Sequence, residues 1–116
     1  MSDQSTKTRT ITLTDRAPVK IVESDWPVIA SAKDHDGQVE CQANESWSIR
    51  VRQHADGRAL VYAVYDTSWQ GRSGARGGEL LERGADLAAA IRRVGERCQC
   101  EQIVDECIAD LPAEEL

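Results

Sequence analysis

Trp47-Ser-Ile-Arg-Val-Arg-Gln53, followed by His54-Ala-Asp-Gly57 and Arg58-Ala-Leu-Val-Tyr-Ala-Val-Tyr-Asp66, is the stretch whose reading decides the fold. Its first seven residues alternate, with Trp47, Ile49 and Val51 on one side and Ser48, Arg50 and Arg52 on the other. Successive side chains of an extended chain point to opposite faces, so strict alternation predicts a strand with one face buried. Asp56-Gly57 supplies a hairpin signal, because glycine takes the positive φ that tight turns require. The return run is apolar almost throughout, which predicts a central strand buried on both faces. Two registers stay open. A two-residue Asp56-Gly57 loop sets Val51 against Tyr62, and a three-residue loop sets it against Val61. A slip of one residue changes which tyrosine faces the core.

Outward from this hairpin, Gln38–Ala43 reads as a weaker strand with Val39, Cys41 and Ala43 on one face. Ser24 reads as an N-cap before a short apolar helix through Val28–Ala32, with Trp26 sealing that helix against the sheet. Thr8–Thr14 and Val19–Glu23 both alternate and pair back as a hairpin around Asp15-Arg-Ala-Pro18. Residues 1–7 are a polar, flexible terminus. Beyond the central hairpin, Trp69–Gly78 reads as a glycine-rich loop carrying Arg72 and Arg76. Leu80, Leu81, Leu87, Ile91 and Val94 mark one face of a helix from about Gly84 to Arg97. A last helix over Glu101–Leu111 turns Ile103, Val104, Cys107, Ile108 and Leu111 inward; Pro112 ends it, and 112–116 form an acidic tail. The expected fold is α+β: a mostly antiparallel sheet of about five strands in ββαβββαα order, with helices covering one face, in one domain over 8–111. From Ser24 to Arg97 this order is similar to that of the double-stranded-RNA-binding domain. The likeness is of topology alone, because no lysine cluster stands at a final helix N-terminus to grip phosphates.

Charge is distributed unevenly. The chain of 116 residues carries a net charge of −6. Residues 1–100 hold 14 acidic and 14 basic side chains, so the whole imbalance sits on Glu101, Asp105, Glu106, Asp110, Glu114 and Glu115. That argues against a generally basic nucleic-acid binder. Ile, Leu and Val number 23 and Phe is absent, so the core is thin. No apolar run approaches the ~18 residues of a membrane span. The opening Met1-Ser-Asp-Gln-Ser-Thr-Lys-Thr has no apolar signal core, and the expected location is the cytoplasm.

In that reducing compartment Cys41, Cys98, Cys100 and Cys107 are not expected to form structural disulfides. Cys98, Cys100 and Cys107 are weak candidates for a metal site. A one-residue spacer is unusual for zinc, and a fourth ligand would have to come from Cys41, His35 or His54. Cys100, Val104, Cys107 and Leu111 also fall on one helical stripe, where cysteine behaves as a small buried hydrophobe. Neither a P-loop nor a nucleophile elbow, zinc-protease or dinucleotide fingerprint occurs. Gly71-Arg-Ser-Gly-Ala-Arg-Gly-Gly78 lacks the Lys-Ser/Thr pair of a phosphate loop. His35, in Asp34-His-Asp36, and His54, at the hairpin mouth, read as turn residues without a nucleophile. No catalytic residue and no cofactor is assigned.

Pro18-Val-Lys-Ile-Val-Glu-Ser-Asp-Trp-Pro-Val-Ile-Ala-Ser-Ala32, Arg50-Val-Arg-Gln-His-Ala-Asp-Gly57 and Glu106-Cys-Ile-Ala-Asp-Leu-Pro-Ala-Glu-Glu-Leu116 resemble stretches of small uncharacterised proteins carried on bacterial mobile elements. The resemblance implies a bacterial gene and transfers no functional residue. Two binding surfaces remain. Asp105, Glu106 and Asp110 form an acidic helix face that suits a protein partner, which makes the leading expectation a non-enzymatic regulator or inhibitor. Arg50, Arg52 and Arg58, joined by Arg72 and Arg76 if the glycine loop folds back, form the alternative: a nucleic-acid-binding module. A homodimer completed through exposed Leu80, Leu81 or a strand edge is a third expectation.

Overall fold

Ala59, Leu60, Val61, Tyr62 and Ala63 are all buried in β5 (Ala59–Thr67), so the strand has no solvent face along its first half. Such a strand needs hydrogen-bonded neighbours at both edges and an apolar layer on each side. In the computed structural model, which describes residues 7–14, 16–33, 45–67 and 74–112, the chain supplies all four. The edges are taken by β4 (Glu45–Gln53) and β6 (Gly74–Leu81), and β3 (Val28–Lys33) extends the antiparallel sheet beyond β4. On one face, Ile49, Val51, Val61 and Ala63 pack with Ala90, Ile91 and Val94 of α1 (Leu87–Cys98) and with Val104 and Cys107 of α2 (Val104–Ala109). On the other, Leu60 and Tyr62 pack with Ile11, Leu13, Ile21 and Trp26. Ile11 and Ile21 belong to a separate two-stranded sheet, β1 (Thr8–Ile11) paired with β2 (Val19–Val22).

The expected α+β class stands, with helices on one face, but the single five-stranded sheet is corrected to two antiparallel sheets of two and four strands. The central hairpin takes the longer of the two open registers. Val51 pairs with Val61 and Gln53 with Ala59, which leaves Ala55, Asp56 and Gly57 as the loop. Gly57 donates its N–H to His54 O at 2.9 Å and holds φ at +101°, a left-handed conformation glycine adopts at least cost. This register sends Tyr62 to the β1–β2 side. Trp47 and Tyr65 pair across the strands with ring centroids 4.9 Å apart.

Two further expectations are overturned. Ser24 caps no helix: a single 3-10 turn at Glu23–Asp25 leads into β3, whose Ala30 and Ala32 are buried and whose Ser31 and Lys33 are exposed. Short apolar runs fit helix and strand equally, and here the free edge of β4 decides in favour of a ladder. The segment read as glycine loop and helix start is β6. Its Leu80 and Leu81 lie on a strand and are not the exposed side chains expected. They are half-buried on opposite faces, Leu80 against the hairpin-side cluster and Leu81 against the helix-side one. Gly78 lets β6 approach, since a Cβ there would stand 2.5 Å from Val61 O. The weaker strand at 38–43 lies outside the described residues.

The helical segments follow the expected stripe with shorter bounds. Asp86 caps α1, accepting from Ala89 N at 3.1 Å, and Gln99 ends it in a left-handed conformation. Gly95 brings the helices together, because a Cβ at that position would collide with Val104 Cγ2. Ile49, fully buried at the centre of the helix-side cluster, is the sharpest probe of this packing. Ile49→Ala is expected to lower unfolding free energy by about 2–5 kcal/mol. Urea denaturation measures it, and an unchanged midpoint would mean that this face is not the core.

Candidate functional site

The sheet alternates as expected along β4, but its second face is roofed, and that changes what the arginines can do. Arg52 was expected to point to solvent. It is instead 6% exposed, enclosed between β4 and the segment that links β2 to β3. Its Nε donates to Tyr62 Oη at 2.8 Å and its Nη1 to the Trp26 carbonyl at 2.9 Å. Arg50 is half-buried on the same face. Arg58 is exposed and engaged: its Nε donates to Asp56 Oδ2 at 2.9 Å and its backbone N–H to Asp56 Oδ1 at 3.0 Å. The Arg58 backbone bond is the main reason that the Asp56 carboxyl is held below the usual carboxylate range, with the guanidinium adding to it. The same guanidinium lies 5.2 Å from the centre of the Trp26 ring, which also meets His54 at 5.0 Å. Arg76 falls in β6, and Arg72 lies outside the described residues. The arginines expected to line up for phosphates are therefore split, with Arg52 largely enclosed and Arg58 tied to its own turn.

The sequence could not place Trp26, Tyr62 and Arg52 together. Their only trace is the uninterrupted apolar run of β5, which requires cover on both faces and so turns the second face of β4 inward. Around them the surface is indented. A cleft of about 650 Å³ is lined by Ser24, Asp25, Pro27, Ile29, Gln53 and the hairpin loop. A second, of about 600 Å³, shares Ile29 and Gln53 and continues to Asp86, Leu87, Leu111 and Pro112. A third, of about 460 Å³, is lined by Lys7, Glu23, Ser24, Val28 and Arg52.

The acidic face divides differently. Asp105 and Glu106 are exposed on α2, and among the described residues neither has a cation within 4.0 Å. Asp110 has structural work instead. Its carboxylate accepts from Ser31 N–H at 2.9 Å, which ties the end of α2 to the outer edge of β3. An edge strand presents unpaired N–H groups, and a carboxylate on one of them blocks further pairing.

The cysteines sit with the core. Cys100 and Cys107 are fully buried in the helix-side cluster, and the half-buried Cys98 packs against it. The Cys107 thiol donates to the Ile49 carbonyl at 3.9 Å. Among the described residues no group of three or more His, Cys, Asp or Glu side chains is placed to hold a metal ion. Cys41 and His35 lie outside them. No helix among the described residues is long and apolar enough to cross a membrane. Compared with protein-family models, curated proteins and solved structures, the chain matches none.

Burial pushes the Cys107 thiol from an ordinary 9.0 up to about 12, with the carboxylates of Asp110 and Glu106 adding to the effect. A folded-state value above the unfolded one favours the native state fully below pH 9 and loses that contribution as pH rises towards 12. Native protein is therefore expected to lose stability across that alkaline interval, and Cys107→Ala should flatten the loss. Unfolding midpoints measured from pH 8 to 12 check this. Rapid alkylation of Cys107 by iodoacetamide in the native state at pH 8 would contradict its burial.

Proposed function

We propose that this chain is a small non-enzymatic interaction protein, a regulator or inhibitor that docks a basic protein surface through α2. The observation that carries the reading is the uncompensated pair Asp105 and Glu106 on a helix whose opposite side is committed to the core. Val104 and Cys107 anchor that helix from beneath, and the bond from Ser31 to Asp110 holds its end against β3. A rigidly presented charge loses little freedom on binding, and complementary charge mainly accelerates encounter. Asp110 drops out of the docking set because its carboxylate is already bonded. The arginine reading of nucleic-acid binding has less support, since Arg52 is buried and Arg58 is paired.

The experiment is a kinetic one on the partner captured from the native host. Asp105→Lys/Glu106→Lys is expected to slow association by about tenfold at low salt, with the difference shrinking as salt screens the charges. Both side chains are exposed, so the variant should stay folded, its midpoint lowered only by the loss of two first-turn carboxylates from α2. Association rates that match wild type across a salt series would remove α2 as the docking face. A salt-sensitive gel shift with oligonucleotides would return the function to the arginines.

A further inference from the structure

A guanidinium as deeply enclosed as that of Arg52 ordinarily faces a carboxylate. Arg52 does not. Among the described residues no carboxylate oxygen lies within 4.0 Å of its guanidinium, and its two bonds go to neutral acceptors, the Tyr62 hydroxyl and the Trp26 carbonyl. A guanidinium has five N–H donors, so among the described residues both those of Nη2 and one of Nη1 have no acceptor. Every fully buried side-chain nitrogen and oxygen among the described residues has a partner, so the unbonded Nη2 is not sealed in the interior. Arg52 lines the cleft of about 460 Å³ together with Lys7, Glu23, Ser24 and Val28.

We propose that this cleft is an anion site that binds a phosphate group, with the free edge of Arg52 as its floor and Lys7 at its rim. The charges fit. The Glu23 carboxylate, 3.0 Å from Arg9 Nε, lines the same cleft and is held below the usual carboxylate range by its bond to Arg9, with Arg52 and Lys7 adding to the effect. Three cations, Lys7, Arg9 and Arg52, thus share one carboxylate, an excess of two positive charges, the number that a phosphate dianion carries in the opposite sign. The donors fit as well. The planar fork of Arg52 presents parallel N–H groups to two oxygens, and the Lys7 ammonium can reach a third. The floor is preorganised, because Tyr62 and Trp26 hold the guanidinium in place before any ligand arrives, and binding would relieve the cost of an enclosed charge with no directly bonded carboxylate. This site lies on the β1–β2 side of the sheet, away from α2, so it stands or falls apart from the docking reading.

The test is thermal unfolding of the full chain in sodium phosphate against sodium chloride and sodium acetate of matched ionic strength. Phosphate is expected to raise the midpoint by about 4–8 °C once its concentration reaches about five times its dissociation constant, while chloride and acetate leave it unmoved. Glycerol phosphate, run in parallel, separates the sources: a response at lower concentration than inorganic phosphate assigns a phosphate ester, and the reverse order assigns the free ion. Lys7→Gln, a change at an exposed side chain, is expected to weaken the phosphate response about threefold with the ligand-free midpoint unchanged. Arg52→Met is expected to abolish the response. Should that variant fail to fold, Lys7→Gln still decides. Absence of a phosphate-specific shift in the wild type, an equal shift with acetate, or an undiminished response in Lys7→Gln or in folded Arg52→Met would overturn the proposal.

Discussion

Burial of β5 on both faces is the constraint from which the other elements follow. Five consecutive side chains without solvent contact cannot be satisfied by helices on one side alone. The short β1–β2 hairpin, too small to stand by itself, finds its reason there: Ile11, Leu13 and Ile21 cover Leu60 and Tyr62. Thr14 fastens this cover to the far edge of the sheet, donating its N–H to Gly78 O at 2.9 Å and accepting the Gly78 N–H on its hydroxyl at 3.2 Å. The helices close the opposite face with small side chains. Ala90, Gly95, Cys100 and Cys107 let two short helices lie close to the sheet and to each other, which is how a chain without Phe still fills a core.

Both layers carry charge of both signs, unevenly. The last helical segment bears the exposed carboxylates of Glu101, Asp105 and Glu106 beside the exposed Arg92, Arg93 and Arg97 of α1, whereas Lys7, Arg9, Arg16 and Lys20 stand with Glu23 and Asp25 on the other side of the four-stranded sheet. Between the layers Arg52 links β4 to Trp26 and Tyr62 through neutral oxygens. A buried cation is a poor source of stability, yet its removal leaves acceptors unsatisfied, so such a group binds layers together more by geometry than by net energy. The molecule thus offers the acidic surface of α2 on its helical side and, on its hairpin side, an indentation lined by Lys7, Arg52 and Glu23. Each is built on an element whose other face is held in a core.

Most side-chain assignments along the strongly periodic segments were legible in advance. Ile49 and Val51 face the helices, Ile11 and Leu13 are buried together, and Ile103, Val104 and Cys107 line the inner side of the last helical segment. These residues follow a period of two or of 3.6, and periodicity depends only on the local backbone. The exposure of Asp105 and Glu106 was legible for the same reason. The structural role of Asp110 was not, because its partner Ser31 is 79 positions away.

Local pattern thus settles the alternation, the hairpin at Asp56-Gly57, the apolar continuity of β5 and the place of the excess negative charge. Three further matters depend on contacts between distant segments. Val28–Lys33 and Gly74–Leu81 became strands because the open edges of β4 and β5 needed hydrogen-bond partners, which short or glycine-rich runs do not announce. The loop took three residues because that register sends Tyr62 to the hairpin side and keeps Val61 with the helices. Arg52 went inside because a second layer lies over its face of the sheet. Alternation sorts side chains into two faces, but whether a face meets water or another layer depends on residues far away in the chain.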